Sequence, residues 1–166
     1  PAGGSLALGF DWRLSMAEVG TSGPFSRFDG YDRTLLLLSG AGMRLDFEGR
    51  PSADLELPLK PVSFSGDWQT SGTLLGGPCR DFNIISRRAS WRHRLEVLRP
   101  GARPEPILPA AIRFCFCVSD PVQVGDRVLH GQELLRLEGG PRELDAQAVD
   151  PAGAILIVVG LDPVHG

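Results

Sequence analysis

Apolar residues fall along the chain in short runs, many alternating with polar ones, and glycine, proline or small polar clusters close each run. FDWRLSMAEV (10–19), RTLLLLSG (33–40), GMRLDFEG (42–49), ADLELPL (53–59) and PVSFSGDW (61–68) follow one another with turns between. SGTLLGG (71–77), CRDFNIISRR (79–88) and WRHRLEVL (91–98) continue the series. No long stripe of helical period interrupts it. Runs of this length and spacing predict strands, and the chain reads as all-β.

The segment RPGARPEPILP (99–109) breaks the rhythm with prolines at 100, 104, 106 and 109 and almost nothing apolar. It reads as a linker or crossover. Beyond it AIRFCFCV (111–118), PVQVGDRVLHGQELLRLEGG (121–140) and AILIVVG (154–160) resume the strand pattern. Antiparallel strands must close or cover their edges, so the expected architecture is two small antiparallel β-barrels. The first spans 1–99, a proline-rich linker 100–110, and a second, smaller barrel 111–166. A single large sandwich is the alternative, and the proline-rich segment argues against it.

Composition changes this picture little. A chain of 166 residues can bury roughly 70% of its unfolded surface and support a proper core. Seventeen basic against 20 acidic residues, with no basic run longer than Arg87-Arg88, argue against nucleic acid or an anionic membrane as partner. Through residue 99 there are 12 basic and 11 acidic side chains, and afterwards 5 and 9, so groups able to meet an anion concentrate in the first half. No apolar run is long enough to span a bilayer, and residues 1–10 lack a basic start followed by an apolar stretch, so a soluble, cytoplasmic protein is expected.

Three cysteines, Cys79, Cys115 and Cys117, form no disulfide framework, and the two in CFC share a strand face as small core fillers. His93, His130 and His165 have neither HxH nor HxxxH spacing, so no metal is expected. There is no GxSxG elbow. The stretch VQVGDRVLHGQELL (122–135) resembles the hairpin of lipoyl and biotinyl domains, but the lysine such carriers need is missing. It reads as a hairpin turned at Gly125-Asp126 and again near Gly131.

Three stretches carry candidate chemistry. GPFSRFDGYDR (23–33) packs three aromatics and two arginines between glycines. Exposed aromatics would forfeit much buriable area, while a core strand would not tolerate two unpartnered guanidiniums. Such a mixture suits the mouth of a pocket, or a turn whose rings anchor it to the body. In CRDFNIISRR, period-2 alternation sets Asp81, Asn83 and Ile85 on one face and Arg80, Phe82 and Ile84 on the other. Asp81 and Asn83 either meet a ligand or pair with backbone, Arg80 or Arg88. In FDWRLSMAEV, Trp12, Leu14 and Met16 form a core face, and Arg13, Ser15 and Ala17 are solvated or line a cavity.

Taken in order, WRLSMAEV, GPFSRFDGYDRTLLLLSGAGMRL, FSGDW and GPCRDFNIISRR resemble the HutD/Ves family, closely over residues 10 to about 95 and loosely beyond. That resemblance implies a bicupin fold of the RmlC-like cupin type. It also implies a role in histidine utilisation, in which a pathway intermediate is bound to limit pathway activity instead of being converted. N-formylglutamate and urocanate are the ligands it suggests, both carboxylates of the kind arginine forks recognise. Phe25 and Phe28 would then wall the site, Ser26 and Arg27 contact a carboxylate, and Arg33 assist or brace the loop. Asp81, Asn83 and Arg13 would complete the polar lining.

The sequence departs from the resemblance twice. The family's usual opening, with tryptophan, asparagine and consecutive glycines, is not found ahead of FDWR, where PAGGSLALG stands, so part of the family pocket is expected to be absent from this sequence. The histidines and glutamate of metal-binding cupins are missing too, so no catalytic residue, metal or cofactor is expected. A metal-independent binder of a small carboxylate metabolite is the leading expectation, with long β-edges allowing a homodimer. Its rivals are an enzyme of the same fold, with Asp81 or Glu18 as acid or base, and a protein-interaction module using a strand edge.

Overall fold

The computed structural model describes residues 9–56, 59–139, 143–150 and 153–164. Most of the PAGGSLALG opening, and His165, lie outside the described residues. The described residues form strands and no helix: β1 (Trp12–Val19), β2 (Gly23–Pro24), β3 (Tyr31–Ser39), β4 (Met43–Phe47), β5 (Ala53–Leu55), β6 (Val62–Ser65), β7 (Thr70–Leu74) and β8 (Cys79–Arg87). They continue with β9 (Trp91–Leu98), β10 (Glu105–Pro106), β11 (Ile112–Cys117), β12 (Val122–Val124), β13 (Arg127–Leu129), β14 (Leu134–Glu138), β15 (Asp145–Ala148) and β16 (Leu156–Pro163). No helix among the described residues is long and apolar enough to cross a membrane.

The chain divides into two compact units, residues 1–92 with 164–166, and residues 93–163. In the first, strands pair antiparallel as β1-β8-β3-β6 and β2-β7-β4-β5, the eight-stranded order of a jelly roll. Leu35 and Leu37 of one sheet meet Met43, Leu45, Phe47 and Leu55 of the other in the core. The run TLLLL does not alternate because β3 is an inner strand buried on both faces, with Leu35, Leu36 and Leu37 all fully buried. At the edge β1 behaves differently, and here the expected core face is corrected. Met16 is 43% exposed, while Trp12 and Leu14 are half-buried, because Arg13, Ser15 and Ala17 take the inward face and, among the described residues, only β8 flanks this strand.

The second unit holds sheets β14-β11-β16-β9 and β10-β15-β12-β13. Counted from β9, which begins two residues ahead of the unit boundary, this is the same order as the first. Cys115 and Cys117 project together into its core beside Val122, Leu156 and Val158, and burial pushes the Cys115 thiol up to about 12. Both therefore fill space as apolar groups. The β12–β13 hairpin turns at Gly125-Asp126, where Gly125 takes a positive φ of 58°. Residues 100–110 contain β10 and two buried core side chains, Ile107 and Leu108.

Candidate functional site

The sheet register of the first unit lays polar side chains on its interior face. Opposite residues of antiparallel strands share a face, so Arg13, Ile85 and Arg33 form one row across β1, β8 and β3. Ser15, Asn83 and Leu35 form the next, and Ala17, Asp81 and Leu37 the third. The leucines sink into the core, leaving the polar members around an open cavity of about 550 Å³. Gly23, Pro24, Phe25, Ser26 and Phe28 close its other side.

At the base of this wall stands Arg33, only 4% exposed. Its guanidinium lies 5.4 Å from the centroids of Phe25 and Phe28 and 5.1 Å from that of Phe64, within cation–π range of all three. Nη1 donates to the backbone oxygen of Ser26 at 3.1 Å, but the buried Nε has no partner. Burial pulls the guanidinium down to about 10, with Asp81 opposing and Arg13 adding to the shift, so Arg33 keeps its charge at neutral pH. A buried cation is ordinarily paired. This one meets rings and a carbonyl, and its unpartnered edge belongs to a side chain that lines the cavity.

Asp81 and Asn83 are buried beside it, at 4% and 8% exposure. Burial drives the Asp81 carboxyl up to about 6, although a hydrogen bond from the Ala17 backbone and the charge of Arg33 both favour the ionised form. Asn83 Oδ1 is buried without a partner. Of the partners considered from the sequence, Asp81 takes backbone, the Ala17 amide, and neither residue pairs with Arg88. Arg88 instead grips Asp32 at 2.8 Å and Asp67 at 3.0 Å.

That clamp holds the loop over the cavity. Gly30 N donates to Asp67 Oδ1 at 2.5 Å, Phe28 N to Gly66 O at 2.9 Å, and Gly66 N to Tyr31 O at 2.8 Å. A Cβ on Gly66 would sit 2.5 Å from the Phe28 oxygen, so only glycine permits this approach. The Asp67 carboxyl is drawn down to about 2, first by the Gly30 amide and then by Ser65 and Arg88. The motif FSGDW thus works as a tether for the motif FSRFDGYDR.

Seven of the eight residues singled out in the sequence line the cavity: Arg13, Phe25, Ser26, Phe28, Arg33, Asp81 and Asn83. Ser15 and Ala17, left open by the sequence, line it as well. Arg27 is not brought to the site. Its side chain is 61% exposed and paired with Asp29 at 2.6 Å. Phe64, stacked on Arg33, carried no local sign, because only the β3–β6 register, Arg33 opposite Phe64, brings them together. Among the described residues no group of three or more histidine, cysteine or acidic side chains is placed to hold a metal.

A second cavity, of about 570 Å³, is lined in the other unit by Gln123, Glu143, Asp145 and Gln147 among others. Its amides are already engaged, Gln123 Nε2 with Gly125 O at 3.0 Å and Gln147 Nε2 with Ala102 O at 2.7 Å. The cavity of the first unit, with unsatisfied buried groups, is the better candidate.

A model of the family described as HutD matches residues 1–156. The chain belongs to the HutD family. It is 42% identical over 129 residues to an uncharacterized 21.2 kDa protein in the hutC 3′ region of Pseudomonas putida, covering 78% of this chain and 65% of that one. It is 32% identical over 121 residues to protein Ves of Escherichia fergusonii, covering 72% and 61%. The matches thus span under two thirds of the length of these curated relatives. Among solved structures, HutD from Pseudomonas fluorescens SBW25 in a formate condition is similar at a TM-score of 0.82 and 34% identity, over 98% of this chain and 85% of that one. A cupin 2 conserved barrel domain protein from Leptotrichia buccalis, at TM-score 0.57 and 6% identity over 90% and 83%, shares the fold alone. Sequence, strand order and these neighbours agree on an all-β bicupin of the HutD family.

Proposed function

We propose that the cavity of the first unit binds a small carboxylate metabolite without a metal, and that the protein acts through this binding as a regulator of histidine utilisation. The observation that carries the reading is Arg33, a buried cation that lines the cavity with an unpaired Nε. Arg13 joins it from the opposite side of Ile85, so two guanidiniums flank one position on the wall. An anion between them relieves their repulsion and supplies the missing acceptor. The relative in the hutC 3′ region and the HutD name support histidine breakdown as the setting. N-formylglutamate and urocanate are the candidate ligands.

Thermal stability of the protein with N-formylglutamate, urocanate, glutamate or formate, each with and without chelator, tests this reading. A ligand at a hundred times its Kd adds about 2.7 kcal/mol to native stability. A rise for a histidine-pathway acid is expected, insensitive to chelation, abolished in Arg33→Met and unchanged in Arg27→Ala. No rise with any of the four overturns it.

A second reading is favoured by Asp81, whose carboxyl burial holds near 6 inside the cavity. A group so placed suits proton transfer at neutral pH. In this reading the unit is an enzyme acting on the bound acid. Proton NMR of each candidate incubated with protein separates the two, since new resonances that vanish in Asp81→Asn mean turnover.

A further inference from the structure

Among the described residues of the first unit, two buried side-chain polar atoms lack partners, and they are of opposite kinds. Arg33 Nε can only donate a hydrogen bond, and Asn83 Oδ1 can only accept one. Both side chains line the same cavity. Arg33 stands across from Ile85, and Asn83 comes two residues earlier on the same strand, a step of about 7 Å. Arg13 reinforces the donor end from β1, whereas Asp81, two residues beyond Asn83 on the same face, extends the acceptor end. The wall of the cavity is therefore polarised along β8, with guanidiniums at the Ile85 level and acceptors below.

A bare carboxylate satisfies only half of this wall. Its oxygens suit the arginines, but it has nothing to offer Asn83 Oδ1, and reaching further would set acceptor against acceptor. A ligand that puts an N–H or O–H group a few bonds from its carboxylate satisfies both ends. We infer that the cavity selects acids carrying a hydrogen-bond donor, as N-acyl amino acids do, and that Asn83 Oδ1 reads that donor. This rests on the carboxylate-binding reading above and narrows its ligand class. Asn83 is in these terms the specificity-determining residue, and Arg33 with Arg13 the anchor common to all acids.

The test uses two acids of nearly the same shape. N-acetylglycine carries an amide N–H where levulinate carries a methylene, and both end in one carboxylate. Their dissociation constants follow from titrations of labelled protein monitored by NMR at millimolar ligand. The wild type is expected to bind N-acetylglycine about tenfold or more tightly than levulinate, the range set by leaving a buried acceptor unpaired. Asn83→Leu is expected to bring the ratio close to one by losing affinity for N-acetylglycine, while levulinate binding changes little.

Equal binding of the two acids by wild type overturns the selection and leaves the carboxylate reading standing. A ratio that survives in Asn83→Leu removes Asn83 as the reader. Binding of neither acid at millimolar concentration overturns the carboxylate reading together with the inference built on it. The wild-type ratio decides the matter even where Asn83→Leu does not fold.

Discussion

The two units share one strand order, and their third and eighth strands can be laid side by side. In the first, Arg33, Leu35 and Leu37 face Ile85, Asn83 and Asp81. In the second, Arg113, Cys115 and Cys117 face Gly160, Val158 and Leu156. Each third strand opens its interior row with a buried arginine, but the eighth strand opposite is polar in one unit and apolar in the other. The loops between second and third strands differ in the same sense. Phe25 N donates to Thr70 O at 2.9 Å, at the first residue of the seventh strand, and Ile107 N to Leu144 O at 2.8 Å, one residue ahead of it. From there one loop runs Phe25, Ser26, Arg27, Phe28 past an open cavity. The other runs Ile107, Leu108, Pro109, Ala110, and Leu108 lies over Gly160, where an added Cβ would come 2.2 Å from Leu108 Cδ1.

The difference teaches that a jelly roll keeps an open, polar-walled cavity or a filled core at this place by a handful of choices. Glycine at 160 makes room, and leucine at 108 fills it. At the matching positions of the first unit stand Ile85 and Ser26, and the apolar plug has no counterpart.

The hardest way to break the comparison is to remove the plug. Leu108→Ala should cost about 2–5 kcal/mol of stability, as other buried leucine truncations do, read from the denaturant midpoint. It should create no carboxylate binding, because Val158 and Leu156 offer no hydrogen-bond donor or charge beside Arg113, which already has a partner. Binding gained by Leu108→Ala would mean that the loop alone separates the units.

Asp81 stands where the second unit has Leu156, and its cost should be visible in pH. Its carboxyl is raised from 3.8 to about 6 by burial, against the pull of the Ala17 amide and Arg33, with Arg13 and Glu18 also lining the cavity. Below 3.8 both folded and unfolded chains hold the proton, whereas between 3.8 and about 6 the unfolded chain ionises first. Stability is therefore lost as pH rises through that window, by about 3 kcal/mol. Asp81→Asn should flatten the loss and be more stable than wild type at pH 7. A wild type and variant that run parallel from pH 3 to pH 7 would refute this.

The smallest effect belongs to the tether. Asp67, held down to about 2 by the Gly30 amide, Ser65 and Arg88, is stabilising above the ordinary carboxylate range, and that contribution disappears as pH falls through about 2. Its exposed position limits the value to roughly 1 kcal/mol or less. Asp67→Ala should therefore lower stability slightly at pH 7 and converge with wild type in acid. It should also weaken ligand binding, since the loop bearing Phe25 and Phe28 loses an anchor.

Strand positions were legible because alternation and glycine–proline punctuation are local properties. The CFC pair was legible for the same reason, as i and i+2 residues share a face whatever the sheet does. β15, with the sequence DAQA, escaped notice, because two small alanines are enough to bury its inner face and carry little hydrophobic signal. In the loop, Phe25, Phe28 and Arg33 stood out by composition, yet Arg27 looked equally suited to an anion. Its turn toward Asp29 and solvent depends on the path of the loop.

What the sequence determined by itself is the all-β character, the strands carrying the polar row, and which faces Asp81 and Asn83 share, since all of these follow from period and steric rules within one segment. Tertiary structure alone decided that Arg13, Arg33 and Asn83 line one cavity, that Phe64 stacks on the guanidinium, and that the equivalent space in the second unit is filled by Leu108. Those are matters of register between strands far apart in the chain. A slip of one residue would have turned every one of these side chains to the other face.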